Sequence, residues 1–158
     1  MRSNFMRRKN DDDSQVYLGW TVAGDLIQGV FCEEIGEWWP GGFGGKDSKL
    51  FLERGVGGRF YEKRHDGTEY EIGRVRAYEP PSLLAFTWRA PSWDVTTRVE
   101  IRFSAESSGT RVELEHSGWE QTTKTREARG NYDSGWGTIL GHYQATFAAP
   151  NEQKGESR

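Results

Sequence analysis

Apolar and polar residues alternate with a two-residue period at several places along the chain. Val16, Leu18, Trp20 and Val22 interleave with Tyr17, Gly19, Thr21 and Ala23, which predicts a first strand that buries the face carrying Val16. The pattern returns in Leu84, Phe86 and Trp88, in Val99, Ile101 and Phe103, and in Val112, Leu114 and His116. Strands are predicted over 49–54, 57–63, 68–79, 82–89, 95–105 and 110–118. Turn signals at His65-Asp66-Gly67, Pro80-Pro81, Pro91 and Ser107-Ser108-Gly109 separate them. Polar residues fill the intervening positions, so one face of the sheet is solvated, as an antiparallel sheet permits.

Three stretches follow a helical period instead. Asp25 can cap a helix whose Leu26, Ile27, Val30 and Phe31 form one apolar stripe. Gly36 and Pro40 bracket a second short helical piece with Glu37, Trp38 and Trp39. Trp136, Ile139, Leu140, Tyr143 and Phe147 share a face of a helix predicted over 134–148. Such a helix is marginal alone in water, so it must dock on the sheet. The order implies an α+β fold: a curved antiparallel sheet of about seven strands wrapped around a long C-terminal helix, with two short helices after strand 1. Residues 1–14 and 149–158 carry little that a core can use and are predicted to be disordered tails around one domain at 15–148.

Composition narrows the function classes. The chain has 158 residues, a size suited to one core. Its eight Phe, seven Trp and six Tyr equal Val, Ile and Leu together in number, so rings supply as much of the core as aliphatic chains do. The lone Cys32 excludes an intramolecular disulfide and suits a reducing, cytoplasmic setting. No apolar run has the length of a membrane span, and the N-terminal basic residues lack the apolar stretch of a signal peptide. A net charge of −3 with mixed signs gives no basic face for nucleic acid.

The segments IGEWWPGG (35–42), GGRFYEKRHDGTEYEIGRV (57–75), EPPSLLAFTW (79–88), VEIRFSAESSGTRVELEHSGWE (99–120) and GWGTILGHY (135–143) resemble, in order, the SRPBCC superfamily. The closest resemblance is to the branch named after the C-terminal domain of the activator of heat-shock-protein-90 ATPase, and it covers about residues 15–148. The resemblance implies a helix-grip fold, in which the sheet grips the C-terminal helix around a cavity. Members of the superfamily bind lipids, sterols, plant hormones or polyketide intermediates, and a minority catalyse reactions on them. This chain has Ala23-Gly24-Asp25 where members often carry a proline before the first helix.

Within that frame the aromatics become candidates for a ligand pocket, since clefts lined by rings and a few polar groups are what small molecules occupy. The predicted ligand-binding set is Trp39, Phe43, Phe60, Trp88, Trp93, Phe103, His116, Trp119, Trp136, Leu140 and Tyr143. Phe43 sits on the glycine-rich loop PGGFGGKDS (40–48), where it can act as a lid. His65 falls at a hairpin tip and His142 off the apolar helix face, whereas His116 faces the interior as either a satisfied core residue or a general base. No His or carboxylate spacing suits a metal, the glycine pairs lack the GK[ST] of a phosphate loop, and Cys32 reads as structural; no cofactor is expected. A bulge at Gly73 that turned Arg74 inward would let it meet an acidic head group.

Three functions follow. The leading one is non-catalytic binding of an apolar or aromatic small molecule, in a stand-alone domain with no membrane insertion and with a homodimer as one possible assembly. The second is a cyclase or hydrolase using His116. The third is a co-chaperone-like interaction module that contacts a chaperone partner through Trp38 and Trp39.

Overall fold

The computed structural model describes residues 6–7, 13–21, 31–39, 41–45, 47–106 and 109–146. Strand β1 (Met6–Arg7) is followed by β2 (Ser14–Thr21), the one-turn helix α1 (Ile35–Trp38), β3 (Lys49–Leu52), β4 (Arg59–Lys63), β5 (Glu69–Glu79), β6 (Leu83–Trp88), β7 (Thr97–Glu106) and β8 (Gly109–Ser117). A 3-10 turn (Trp119–Gln121) leads into the 24-residue helix α2 (Thr123–Thr146). The strands form one antiparallel sheet in the order β1-β2-β8-β7-β6-β5-β4-β3, seven main strands with the two-residue β1 at an edge. The expected α+β plan, a curved sheet with a long C-terminal helix, is the one observed.

Alternation explains which face is which. Along β8, Thr110, Val112, Leu114 and His116 are buried, and beside them on β7 lie Thr97, Val99, Ile101 and Phe103. The other face carries Arg98, Glu100, Arg102, Arg111, Glu113 and Glu115 in exposed or half-buried ion pairs, which contribute little to stability individually. Helix α2 covers the apolar face with Trp136, Leu140 and Tyr143.

Three expectations need correction. Helix α2 starts at Thr123, eleven residues before the predicted start at 134. Its first turns face inward with Thr125, Ala128 and Tyr132 rather than with large aliphatics. A reciprocal cap fixes that start: the Thr125 amide donates to Thr122 Oγ1 at 3.0 Å and the Thr122 amide to Thr125 Oγ1 at 3.1 Å. In β2 the facing is reversed, since Gln15 and Tyr17 are buried while Val16 and Leu18 are half-buried. Gln15 turns inward because its Nε2 donates to the Arg129 carbonyl of α2 at 2.8 Å. The predicted N-terminal tail is ordered in part, because Met6 and Arg7 pair with Leu18 and Tyr17 and Ser14 opens β2. The Leu26-Ile27-Val30 part of the predicted first helix, Phe147 and the tail 149–158 lie outside the described residues.

The bulge at Gly73 exists, but it leaves Arg74 outside. Ile72 and Gly73 are both buried, the register against β4 slips there, and Val75 takes the next inward position. Arg74 forks onto Glu71 on the outer surface at 2.7 and 3.0 Å. A Cβ at Gly73 would lie 1.7 Å from the Thr87 carbonyl oxygen, so backbone meets backbone with no room to yield. By contrast, nothing lies within 4 Å of a Cβ built on Gly137, in the interior of α2. Gly73→Ala is therefore expected to lose about 2–3 kcal/mol from overpacking. Gly137→Ala is expected to gain about 0.5–1 kcal/mol from helix propensity. Denaturant titration of the two variants checks both signs.

Candidate functional site

Between the sheet and α2 lies a cavity of about 270 Å³. One wall is built by rings from three elements. Trp39, just past α1, lies nearly parallel to Trp88 of β6, with centroids 6.1 Å apart, and meets Trp136 of α2 edge-on at 5.8 Å. Leu50 and Ile72 of the sheet and Ile139 and Tyr132 of the helix complete the apolar lining. Gly41, Gly42 and Gly135 also line it, and a Cβ on Gly135 would meet nothing within 4 Å. Phe43 and Asn131 are the exposed members, and they mark the mouth.

The Trp136 ring is set by a buried chain of hydrogen bonds. Its Nε1–H donates to His116 Nδ1 at 2.8 Å. That nitrogen must then be unprotonated, so His116 carries its proton on Nε2 and donates it to Thr97 Oγ1 at 2.6 Å. The Thr97 hydroxyl in turn donates to the Trp88 carbonyl at 3.3 Å. His116 has 0 % exposure, with the Trp119 ring 4.2 Å away, and burial pushes its pKa well below the ordinary value. A neutral imidazole with both nitrogens committed is a structural bracket and does not face the cavity, which corrects its candidacy as ligand contact or general base.

On the opposite side, Trp88 Nε1–H donates to the Tyr132 hydroxyl at 2.9 Å. Burial raises the Tyr132 phenol to about 12, and it also raises Tyr70, whose hydroxyl donates to the Arg89 carbonyl at 2.5 Å.

The glycine loop over the mouth is tied down from beneath. Glu62 on β4 is a carboxylate with 0 % exposure. Its Oε1 accepts the Gly44 amide at 3.1 Å, while Oε2 takes Arg64 Nε at 2.8 Å and Nη2 at 2.7 Å. Ser48 Oγ accepts the Gly42 amide and donates to the Gly45 carbonyl, both at 2.8 Å. A side chain at position 42 would meet Glu62 Oε1 at 2.0 Å, so the loop sits this close only because it is glycine. Phe43 at its tip, 39 % exposed, rests edge-on against Tyr70 and Trp88.

Of the eleven predicted ligand-binding residues, Trp39, Phe43, Trp88 and Trp136 line the cavity. The other seven stand behind the lining. Phe60 packs under Trp39 and Trp88. Trp93 and Trp119 support Tyr132, and His116 holds Trp136. Phe103, Leu140 and Tyr143 belong to the core, Phe103 and Tyr143 both packing on Phe31. Trp38 and Trp39 are both buried, so they do not offer the exposed contact surface expected of an interaction module. Sequence reasoning missed Tyr132, Gly135 and Glu62. The Thr122-to-Thr125 cap was the available signal that the helix began early enough to include Tyr132. His65 and His142 are exposed and Cys32 half-buried. Among the described residues no group of His, Cys, Asp and Glu is arranged to hold a metal, and no helix is long and apolar enough to cross a membrane.

Residues 13–148 match the family model described as Activator of Hsp90 ATPase homolog 1-like protein. No curated protein matches the sequence. Among solved structures, a protein from Rhodobacter sphaeroides aligns with a TM-score of 0.68 over 91% of this chain and 97% of its own, at 14% identity. CalU16 from Micromonospora echinospora aligns with a TM-score of 0.57 at 20% identity, over 95% of this chain and 87% of its own. Txn09, an anthrahydroquino-gamma-pyrone synthase solved with a ligand, aligns with a TM-score of 0.56 at 28% identity, over 85% of this chain and 97% of its own.

The buried imidazole has a pH signature. In the unfolded chain His116 protonates near 6.5, whereas the folded chain holds it neutral well below that value. This group therefore leaves stability unchanged above about pH 6.5. Below it, the unfolded state takes up a proton that the folded state refuses, and stability falls by about 1.4 kcal/mol per pH unit until the buried ring protonates. Denaturant titrations are expected to show stability falling as the pH drops below about 6.5, and His116→Gln to fall less steeply.

Proposed function

The chain belongs to the Activator of Hsp90 ATPase homolog 1-like family, and on that premise we propose that it binds an apolar or aromatic small molecule in the cavity between the sheet and α2. The observation that carries the reading is the lining itself. Three tryptophans and a phenylalanine surround a space into which Gly135 puts no side chain, and no charged side chain lines it. Burying aromatic surface of this kind, with few polar groups and no charge, favours an apolar ligand, because each ring face offers dispersion contacts and excludes water. The ligand-bearing synthase at 28% identity supports the reading by showing a related chain of this fold with a bound molecule.

Binding is the activity proposed, without turnover. The cyclase or hydrolase alternative leaned on His116, and that imidazole is spent on Trp136 and Thr97. The interaction-module alternative leaned on Trp38 and Trp39 as a contact surface, and both are buried.

Gly135 offers a clean test, because a Cβ there meets nothing within 4 Å and the position lines the cavity from mid-helix. Gly135→Leu is expected to fill the space. Stability should hold or rise, since replacing a helical glycine gains up to about 1 kcal/mol. Ligand recovered with wild-type protein in native mass spectra, and absent under denaturing conditions, should disappear from the variant. Retention of ligand by a stable Gly135→Leu would place binding elsewhere.

A further inference from the structure

The cavity wall is rich in hydrogen-bond donors and lacks charge. Two of its indoles are already committed, Trp88 to the Tyr132 oxygen and Trp136 to His116. The bond from Trp88 uses one lone pair of the Tyr132 oxygen and leaves the hydroxyl proton available. No acceptor for that proton is present among the described residues. The Tyr132 ring is clamped by Trp88, Trp93 and Trp119, so the phenol cannot swing away to find a partner. A donor fixed in an apolar wall discriminates strongly, because a ligand lacking an acceptor leaves it unpaired where water is scarce.

We propose that Tyr132 is the specificity-determining residue of the cavity, donating its hydroxyl proton to one acceptor oxygen of a neutral, flat, aromatic ligand such as a polycyclic ketone or quinone. The proposal rests on the cavity reading above and adds the chemical class. Flatness follows from the ring-built wall, where Trp39 and Trp88 stand nearly parallel. Neutrality follows from the absence of a charged side chain in the lining, and the Glu62 carboxylate behind the loop is already paired with Arg64. An anionic ligand would be desolvated there without a cation to meet it. Burial keeps the phenol protonated, with its pKa raised to about 12, so the donor persists throughout the physiological range.

The test uses fluorene and 9-fluorenone, two flat molecules that differ in one carbonyl, titrated into the full chain and followed by quenching of tryptophan fluorescence. Wild type is expected to bind fluorenone roughly three- to tenfold more tightly than fluorene, the range for one added hydrogen bond. Tyr132→Phe, with its fold verified by thermal melting, is expected to lose more affinity for fluorenone than for fluorene, so that the ratio between the two falls. The carbonyl stretch of bound fluorenone should move to lower frequency in wild type and return in the variant, a signature that a merely structural role for Tyr132 would not produce. Fluorenone-2-carboxylate should bind at least about tenfold more weakly than fluorenone. Equal affinity of wild type for fluorene and fluorenone, or equal loss of both in Tyr132→Phe, overturns the proposal and leaves the cavity reading standing. Tight binding of the carboxylate overturns neutrality. Failure of every probe to bind wild type overturns the cavity reading, and this proposal with it.

Discussion

The hydrogen bond from the Trp136 indole to His116 Nδ1 joins the two layers of this protein. Helix α2 meets the sheet mainly through rings, and rings alone slide: dispersion contacts are individually weak and carry little direction. A buried donor facing a buried acceptor is different, because moving it leaves two polar atoms unpaired in a medium where that costs about 1–3 kcal/mol each. The bond fixes where Trp136 stands along the helix and how its ring is turned. Thr97 completes the chain by accepting from His116 and donating to the Trp88 carbonyl, so the same polar thread passes from the helix through β8 to β7 and β6. Both tryptophans that face the cavity from opposite layers are attached to one relay.

With the rings so placed, the cavity is the result of shape. Flat side chains meeting edge-to-face do not tile space as branched aliphatics do, and protein interiors tolerate gaps only where something maintains them. Here the maintenance comes from residues outside the lining. Phe60 supports Trp39 and Trp88, Trp119 and Trp93 support Tyr132, and Glu62 holds the glycine loop by an amide of its backbone. The buried carboxylate is unusual in such an apolar setting, and it is accommodated because Arg64 and the Gly44 amide both satisfy it.

Much of this was legible in the chain. The alternations at 84–88, 99–103 and 112–116 predicted the central strands and their inward faces, because β7 and β8 bury apolar residues on one side and carry charges on the other, and β6 buries Leu84, Phe86 and Trp88. The start of α2 was not legible by hydrophobic period, since its first turns dock with a threonine, an alanine and a tyrosine that a search for large apolar residues passes over. The facing of β2 escaped for a related reason: a glutamine is inside because a helix carbonyl, distant in sequence, accepts its amide. At the site, Trp39, Phe43, Trp88 and Trp136 could be named from residue type, but not separated from the rings behind them. Which ring lines a cavity and which supports the lining depends on angles that no one-dimensional pattern contains. Gly135 was invisible for the plainest reason, since its contribution is the absence of a side chain.

Two bare positions show how differently the fold tolerates an added side chain. Gly73 and Gly135 are equally bare, yet they differ in what the chain can do with them: one lies against a carbonyl of the neighbouring strand, the other beside open space. The first admits no change without cost to the whole sheet. The second is a position where mutation alters the size of the chamber in steps of a methyl group while the helix gains in propensity. Side chains of increasing size at position 135 would therefore fill the chamber step by step and leave the sheet and the docked helix in place.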